Sequence, residues 1–179
     1  MTARSFTWLA TNGGAWSVAS NWDDITDGID PSLIAPGAQD SATVQGATGN
    51  ATTMLTGPGS AAAVAFFNNV GLSGVFDVGA MSLGTDGNGG LLAISAGTVT
   101  AGMATVTSGS ILTSGASTSF IVTGAMTLGD SVSGESCNLD ATSNGRVQLG
   151  GLALGTGAAS LYVDPTGSIE IGGTGGARP

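Results

Sequence analysis

One short string that returns almost unchanged constrains this chain more than any other feature. Gly79-Ala80-Met81-Ser82-Leu83-Gly84 recurs as Gly124-Ala125-Met126-Thr127-Leu128-Gly129 and as Gly150-Gly151-Leu152-Ala153-Leu154-Gly155, with a weaker copy from Gly102 to Val106. The leading glycines Gly79, Gly102, Gly124, Gly150 and Gly172 stand 23, 22, 26 and 22 positions apart. A period of a few tens of residues marks stacked architectures, in which one unit cannot bury its apolar face alone and its neighbours enclose a common core. The longest interval predicts a protruding loop over residues 130–135.

Within each unit the apolar residues alternate. Before the glycine run two columns, Phe76, Val99, Ile121, Val147 and Ile169, then Val78, Ala101, Thr123, Leu149 and Ile171. After it come Met81 with Leu83, Met126 with Leu128, Leu152 with Leu154 and, more weakly, Ala104 with Val106. A third pair follows: Leu92 with Ile94, Ile111 with Thr113, Cys137 with Leu139, Leu161 with Val163. Three period-two runs per unit, each bounded by Gly, Ser, Asn or Asp, are a strand-and-turn signature, and no window shows a helical period. The expectation is an all-β fold: a single-stranded parallel β-solenoid of about five three-strand coils, 22–26 residues per coil, about 25 Å long, with a Trp-rich N-terminal cap. Residues 1–45 are assigned to the cap and first strands, 46–173 to the coils and 174–179 to a Gly-rich tail or linker. Corners are expected at Asp86-Gly87, Ser95-Ala96-Gly97, Ser143-Asn144-Gly145 and Asp164-Pro165-Thr166-Gly167, because these residue types tolerate tight or positive-φ turns.

Composition then removes whole classes of chemistry. The 179 residues include 32 Gly, one Cys and no His, and three basic residues face twelve acids for a net charge of −9. Without Lys there is little to neutralise phosphates, which argues against nucleic acid and anionic membranes and in favour of cations. Without His there is no Ser-His-Asp or Cys-His nucleophile, and one Cys makes neither an internal disulfide nor a Cys-based zinc site. No apolar run is long enough for a membrane-spanning helix. The start lacks a basic segment followed by an apolar core, so export is expected to proceed without a Sec-type signal peptide.

Upstream of Gly46 the pattern changes to Trp8, Trp16 and Trp22, followed by Asp23, Asp24, Asp27 and Asp30. Large rings laid over the end of a stack hide strand edges and the apolar column, which predicts a cap; an aromatic sugar platform is the competing reading. The motifs Thr7-Trp8, Trp16-Ser17-Val18-Ala19-Ser20-Asn21-Trp22 and Pro36-Gly37-Ala38-Gln39-Asp40-Ser41-Ala42-Thr43-Val44, joined to the G-x-M-x-L-G repeats, resemble the β-helical passenger regions of bacterial autotransporters and large exported surface proteins. That resemblance covers most of the chain. It implies a stalk, adhesin or biofilm-matrix role at the cell surface or outside the cell, and it carries over no catalytic residue.

Two sets of candidate functional residues follow. Asp24, Asp27 and Asp30 around Gly28 supply hard oxygen ligands on a loop, as calcium requires, though not at EF-hand spacing; a solvated acidic loop is the simpler alternative. The turn Thr85 to Gly90 is a weaker calcium candidate. For assembly the candidates are Ile169 and Ile171 at one end and Trp8, Trp16 and Trp22 at the other. The final strand is followed only by a Gly-rich tail, so its coil is expected to be uncapped: either a further coil follows in a longer parent protein, or a second copy joins it head to tail into fibres, with cations screening the charge. Cys137 is expected to be a buried small hydrophobe. No enzyme activity is expected, because the acids fall in different registers: Asp77 and Glu170 are equivalent outward positions four units apart. A polysaccharide-binding or polysaccharide-cleaving β-helix is the alternative function.

Overall fold

The computed structural model describes residues 2–84, 90–129 and 136–172; the expected corner at Asp86-Gly87, the expected loop over 130–135 and the tail lie outside them. The described chain is all-β, with one 3₁₀ turn at Ala19–Asn21 and fourteen strands in one open, mostly parallel sheet. In chain order these are β1 (Ser5–Trp8), β2 (Gly14–Ala15), β3 (Trp22–Asp24), β4 (Ser41–Gln45), β5 (Thr53–Thr56), β6 (Gly59–Phe67), β7 (Val70–Leu83), β8 (Gly90–Val106), β9 (Gly109–Ser114), β10 (Thr118–Leu128), β11 (Ser136–Thr142), β12 (Arg146–Leu154), β13 (Ala158–Val163) and β14 (Ser168–Ile171).

The pairings fall into three parallel ladders that the chain visits in turn. The first runs β2, β5, then the leading parts of β7 and β8, then β9, β11 and β13. The second joins the start of β6 to the middles of β7 and β8, the first half of β10, the first half of β12, and β14. The third begins at β1 and β4, passes through the second half of β6 and the ends of β7 and β8, and finishes in the second halves of β10 and β12. Its first strand also pairs with β3, the single antiparallel strand pairing among the described residues.

Alternation places one apolar set from all three ladders in a continuous core. Val64, Met81, Ala104, Met126 and Leu152 stack in register, as do Phe66, Leu83, Val106, Leu128 and Leu154. Fully burying each large aliphatic side chain contributes about 1.5–3 kcal/mol relative to exposure, so the repeat stabilises itself layer by layer. The leading glycines also have a geometric cause. A Cβ at Gly79 would lie 2.5 Å from the Ala62 carbonyl oxygen, and one at Gly124 2.6 Å from that of Gly102. Successive layers approach so closely at this corner that only glycine leaves the lower carbonyl room.

The second ladder corrects part of the expected register. Phe120 pairs with Val99 and Val147, and Val122 with Ala101 and Leu149. Both are buried, whereas Ile121 is only partly buried and Thr123 is exposed. The cause is a register shift between Val122 and Ala125, where β10 carries one residue more than its neighbours before the repeat resumes at Met126. Counting back from Gly124 therefore turns the preceding residues to the wrong face. In the first ladder the alignment differs from the expected one by two residues, which keeps the same face inward: Cys137 pairs with Gly109 and Ala159, and Leu139 takes the place beside Ile111 and Leu161. Cys137 is nonetheless fully buried.

The expected corners at Gly97 and Ser143-Asn144 have positive φ, 88° for Gly97 and 51° and 66° for the pair. At the last corner the Gly167 N–H donates to the Asp164 carbonyl at 3.2 Å.

Candidate functional site

The acidic segment is organised around Arg4. From the residue just before β1 the guanidinium Nη1 reaches Asp24 Oδ2 at 2.7 Å and Asp27 Oδ2 at 2.9 Å. Asp24 is fully buried, and its other oxygen accepts the N–H groups of Thr26 at 3.1 Å and Asp27 at 3.2 Å. The hydrogen bond to Asp24, followed by the attraction of nearby carboxylates, raises the Arg4 pKa above its ordinary value. Asp40, the acid of the Pro-Gly-Ala-Gln-Asp string, accepts from Arg4 N at 2.9 Å and Gly37 N at 2.9 Å. Asp30 is exposed. Of the three candidate calcium ligands, then, Asp24 and Asp27 converge on a guanidinium, and among the described residues no group of three acids, Cys or His is arranged to hold a metal ion.

The three tryptophans turn inward. Their exposures are 5% for Trp8, 2% for Trp16 and 0% for Trp22. Trp22 packs edge-on against Trp16 with ring centroids 4.6 Å apart and against Trp8 at 4.8 Å. Trp16 in turn meets Phe76 at 5.8 Å. Each indole N–H has a backbone acceptor: Trp8 donates to Ala10 O, Trp16 to Pro36 O and Trp22 to Trp16 O. Rings so enclosed present no face to a sugar, and none to a second copy of the chain.

Beyond these rings the outer edge of the third ladder is covered. The outer side of β3 is occupied by the chain itself, with Ser32 N donating to Trp22 O at 2.6 Å and Asp24 and Ile29 exchanging backbone hydrogen bonds at 3.0 and 3.1 Å. At the opposite end the last described strands each pair on one side. Among the described residues β13 pairs only with β11, β14 only with β12, and Gly151–Leu154 only with β10. The inward column is uncovered there, with Leu154 66% exposed, Leu161 43%, Val163 44% and Ile171 46%, while Ile169 stays partly buried against the core.

Acids elsewhere are dispersed. Asp77, Thr100, Ile121, Gln148 and Glu170 form one outward column, so the two carboxylates stand four strands, about 19 Å, apart, whereas paired glycosidase carboxylates sit roughly 5–10 Å apart. Asp164 serves the last corner. It accepts Ser143 N at 2.7 Å, Thr166 N at 2.8 Å and Gly167 N at 2.7 Å, and these bonds, the Ser143 one foremost, lower its pKa to about 2. Burial pushes Asp140 the other way, above the ordinary carboxylate value.

No helix among the described residues is long and apolar enough to cross a membrane. No protein-family model, curated protein or solved structure matches this chain.

The acid cluster, the tryptophans and the final strand were each visible as features of the sequence. Arg4 was missed as the partner of Asp24, since nothing in the spacing of residues 4 and 24 announces that β1 and β3 lie side by side.

Proposed function

We propose that the chain is a non-catalytic structural module of a bacterial surface or extracellular matrix protein, built as a parallel β-solenoid of about five coils and joining other chains through its last strands. The coil reading is supported by the order in which the chain visits the three ladders, one strand from each per circuit from β5 onward. The observation that carries the function is the end formed by the last strands, where among the described residues three strand edges lack a partner and surround exposed aliphatic side chains. Edges of that kind are normally covered or defended by charge, because they template the pairing of another strand. The surface location rests on the resemblance of the Trp motifs and repeats to exported β-helical proteins. Calcium enters this reading as a screen for the net charge of −9.

Sedimentation velocity with calcium and with chelator, run beside glycan binding and turnover assays, tests it. The expected outcome is concentration-dependent association, strengthened by divalent cations, with no release of reducing or unsaturated sugar ends. Carbohydrate cleavage lost on replacing a single carboxylate, or saturable glycan binding by a strictly monomeric chain, would overturn it in favour of the polysaccharide reading.

A further inference from the structure

Of the eight asparagines in the chain, only Asn50 is followed two places on by a hydroxyl residue, in Asn50-Ala51-Thr52. An asparagine with Ser or Thr two residues later, and no proline between, is the pattern at which a sugar is joined to a side-chain amide, and its context is a surface loop of an exported protein. The fold supplies such a loop. Residues 50–52 lie outside any strand, on the turn from β4 in the third ladder to β5 in the first, and all three are exposed. Gly49 takes a φ of 70°, and a Cβ there would meet nothing within 4 Å. The base of the turn is held by Asn69, which donates from its backbone N to Ala47 O at 3.0 Å and from its side-chain amide to Gly49 O, and accepts from Thr53 N at 3.0 Å. Other asparagine amides serve the fold in the same way: Asn21 donates to Ala15 O at 2.9 Å and Asn138 to Ser110 Oγ at 3.0 Å. The Asn50 amide makes no hydrogen bond among the described residues.

We infer that Asn50 is the attachment point of an N-linked sugar, transferred from a hexose donor activated through a pyrophosphate at C1. Nδ2 of Asn50 attacks C1 and the bond from C1 to the pyrophosphate oxygen breaks. The leaving diphosphate takes that electron pair, and the amide gives one of its two protons to a base of the transferase. The Thr52 hydroxyl is the group by which a transferase tells this asparagine from the other seven. A tip that stands clear of the strands lets the enzyme close on residues 50–52 without opening a ladder. The site lies at the corner between the third and first ladders, apart from the last strands, so it is independent of the end-association reading. A sugar there adds hydrated bulk to one corner of the stack.

Mass spectrometry of the chain purified from the cells that make it naturally tests this. The intact mass should exceed that of the sequence by a sugar, and fragmentation should place the addition on Asn50. Single hexoses added one at a time mean a nucleotide carrier, and one preassembled block means a lipid-linked carrier; both support the assignment. Asn50→Gln and Thr52→Ala, produced in the same cells, should each return to the mass of their own sequence. Thr52→Ser should keep the sugar. Because neither the Asn50 amide nor the Thr52 hydroxyl holds the fold, the melting temperatures of the variants should match that of the enzymatically deglycosylated parent, which separates loss of the acceptor from misfolding. A natural chain at the bare mass of its sequence, or a sugar that persists in Asn50→Gln, would overturn the assignment. Either result leaves end association intact.

Discussion

Thr113 carries the one buried side-chain oxygen that lacks a hydrogen-bond partner among the described residues. It stands in the inward column between Ile94 and Ala141, where a hydroxyl has been desolvated without return. Thr113→Val keeps the shape and removes that cost, so it should stabilise the protein by about 1 kcal/mol, read as a higher denaturant midpoint with unchanged slope. The neighbouring ladder offers a sharper residue-scale contrast. Phe120 is fully buried and Ile121 is not. Phe120→Ala should cost about 3–5 kcal/mol, whereas Ile121→Ala should stay within about 1 kcal/mol. Equal losses at the two sites would show that β10 lies in the register obtained by counting back from Gly124. The warning was present in that count, which put Thr123 into an otherwise apolar column; Phe120 with Val122 was the equally periodic and wholly apolar pair.

At the scale of the element, the corners between ladders hold successive layers at fixed distance. A Cβ at Gly102 would strike the carbonyl oxygen of Gly79, while one at Gly151 would meet nothing within 4 Å. Gly102→Ala should therefore cost about 1–3 kcal/mol by overpacking, and Gly151→Ala should lie within about 0.5 kcal/mol of the parent in chemical denaturation. The last corner is held by a charge. With its pKa lowered to about 2 from an ordinary 3.8, Asp164 contributes stability that is fully present above about pH 4 and is lost as the pH falls through 2. Asp164→Asn should remove that dependence and loosen the turn joining β13 to β14, seen as faster amide exchange at Ser143 and Thr166. Asp140 has the opposite sign: burial raises its pKa, so its ionised form opposes folding and its effect is relieved as the pH falls. Asp140→Asn should raise the melting temperature at neutral pH and leave it unchanged in acid.

At the scale of the whole molecule the cap offers the sharpest test. The cap is held by T-shaped tryptophan packing and by a buried carboxylate that depends on one guanidinium. Arg4→Met would leave Asp24 buried beside no cation. A lower melting temperature is expected, recovered in good part by adding Asp24→Asn, because the destabilisation arises from an uncompensated charge more than from a lost attraction. A double variant no more stable than Arg4→Met alone would show that the pair acts through packing.

The sequence by itself determined the all-β class, the repeat and most of the inward columns, because period-two alternation and recurring glycines are local consequences of strands stacked at short range. Met81, Met126 and Leu152 could be assigned to one column by their distance from the glycine alone. What depended on tertiary structure was whatever joins distant or irregular parts. The extra residue in β10 is absorbed by the layers on either side of it, so no property of Phe120 or Ile121 alone reveals which of them is buried. The pairing of Arg4 with Asp24 follows from an antiparallel return that brings residue 24 beside residue 4, and it sets a guanidinium against two of the three acids singled out in the sequence. Tryptophans that could have formed a platform became a core because the loop at 29–36 closes over them. Those outcomes are settled by which surfaces meet once the chain has folded, and that information is spread over contacts many residues apart.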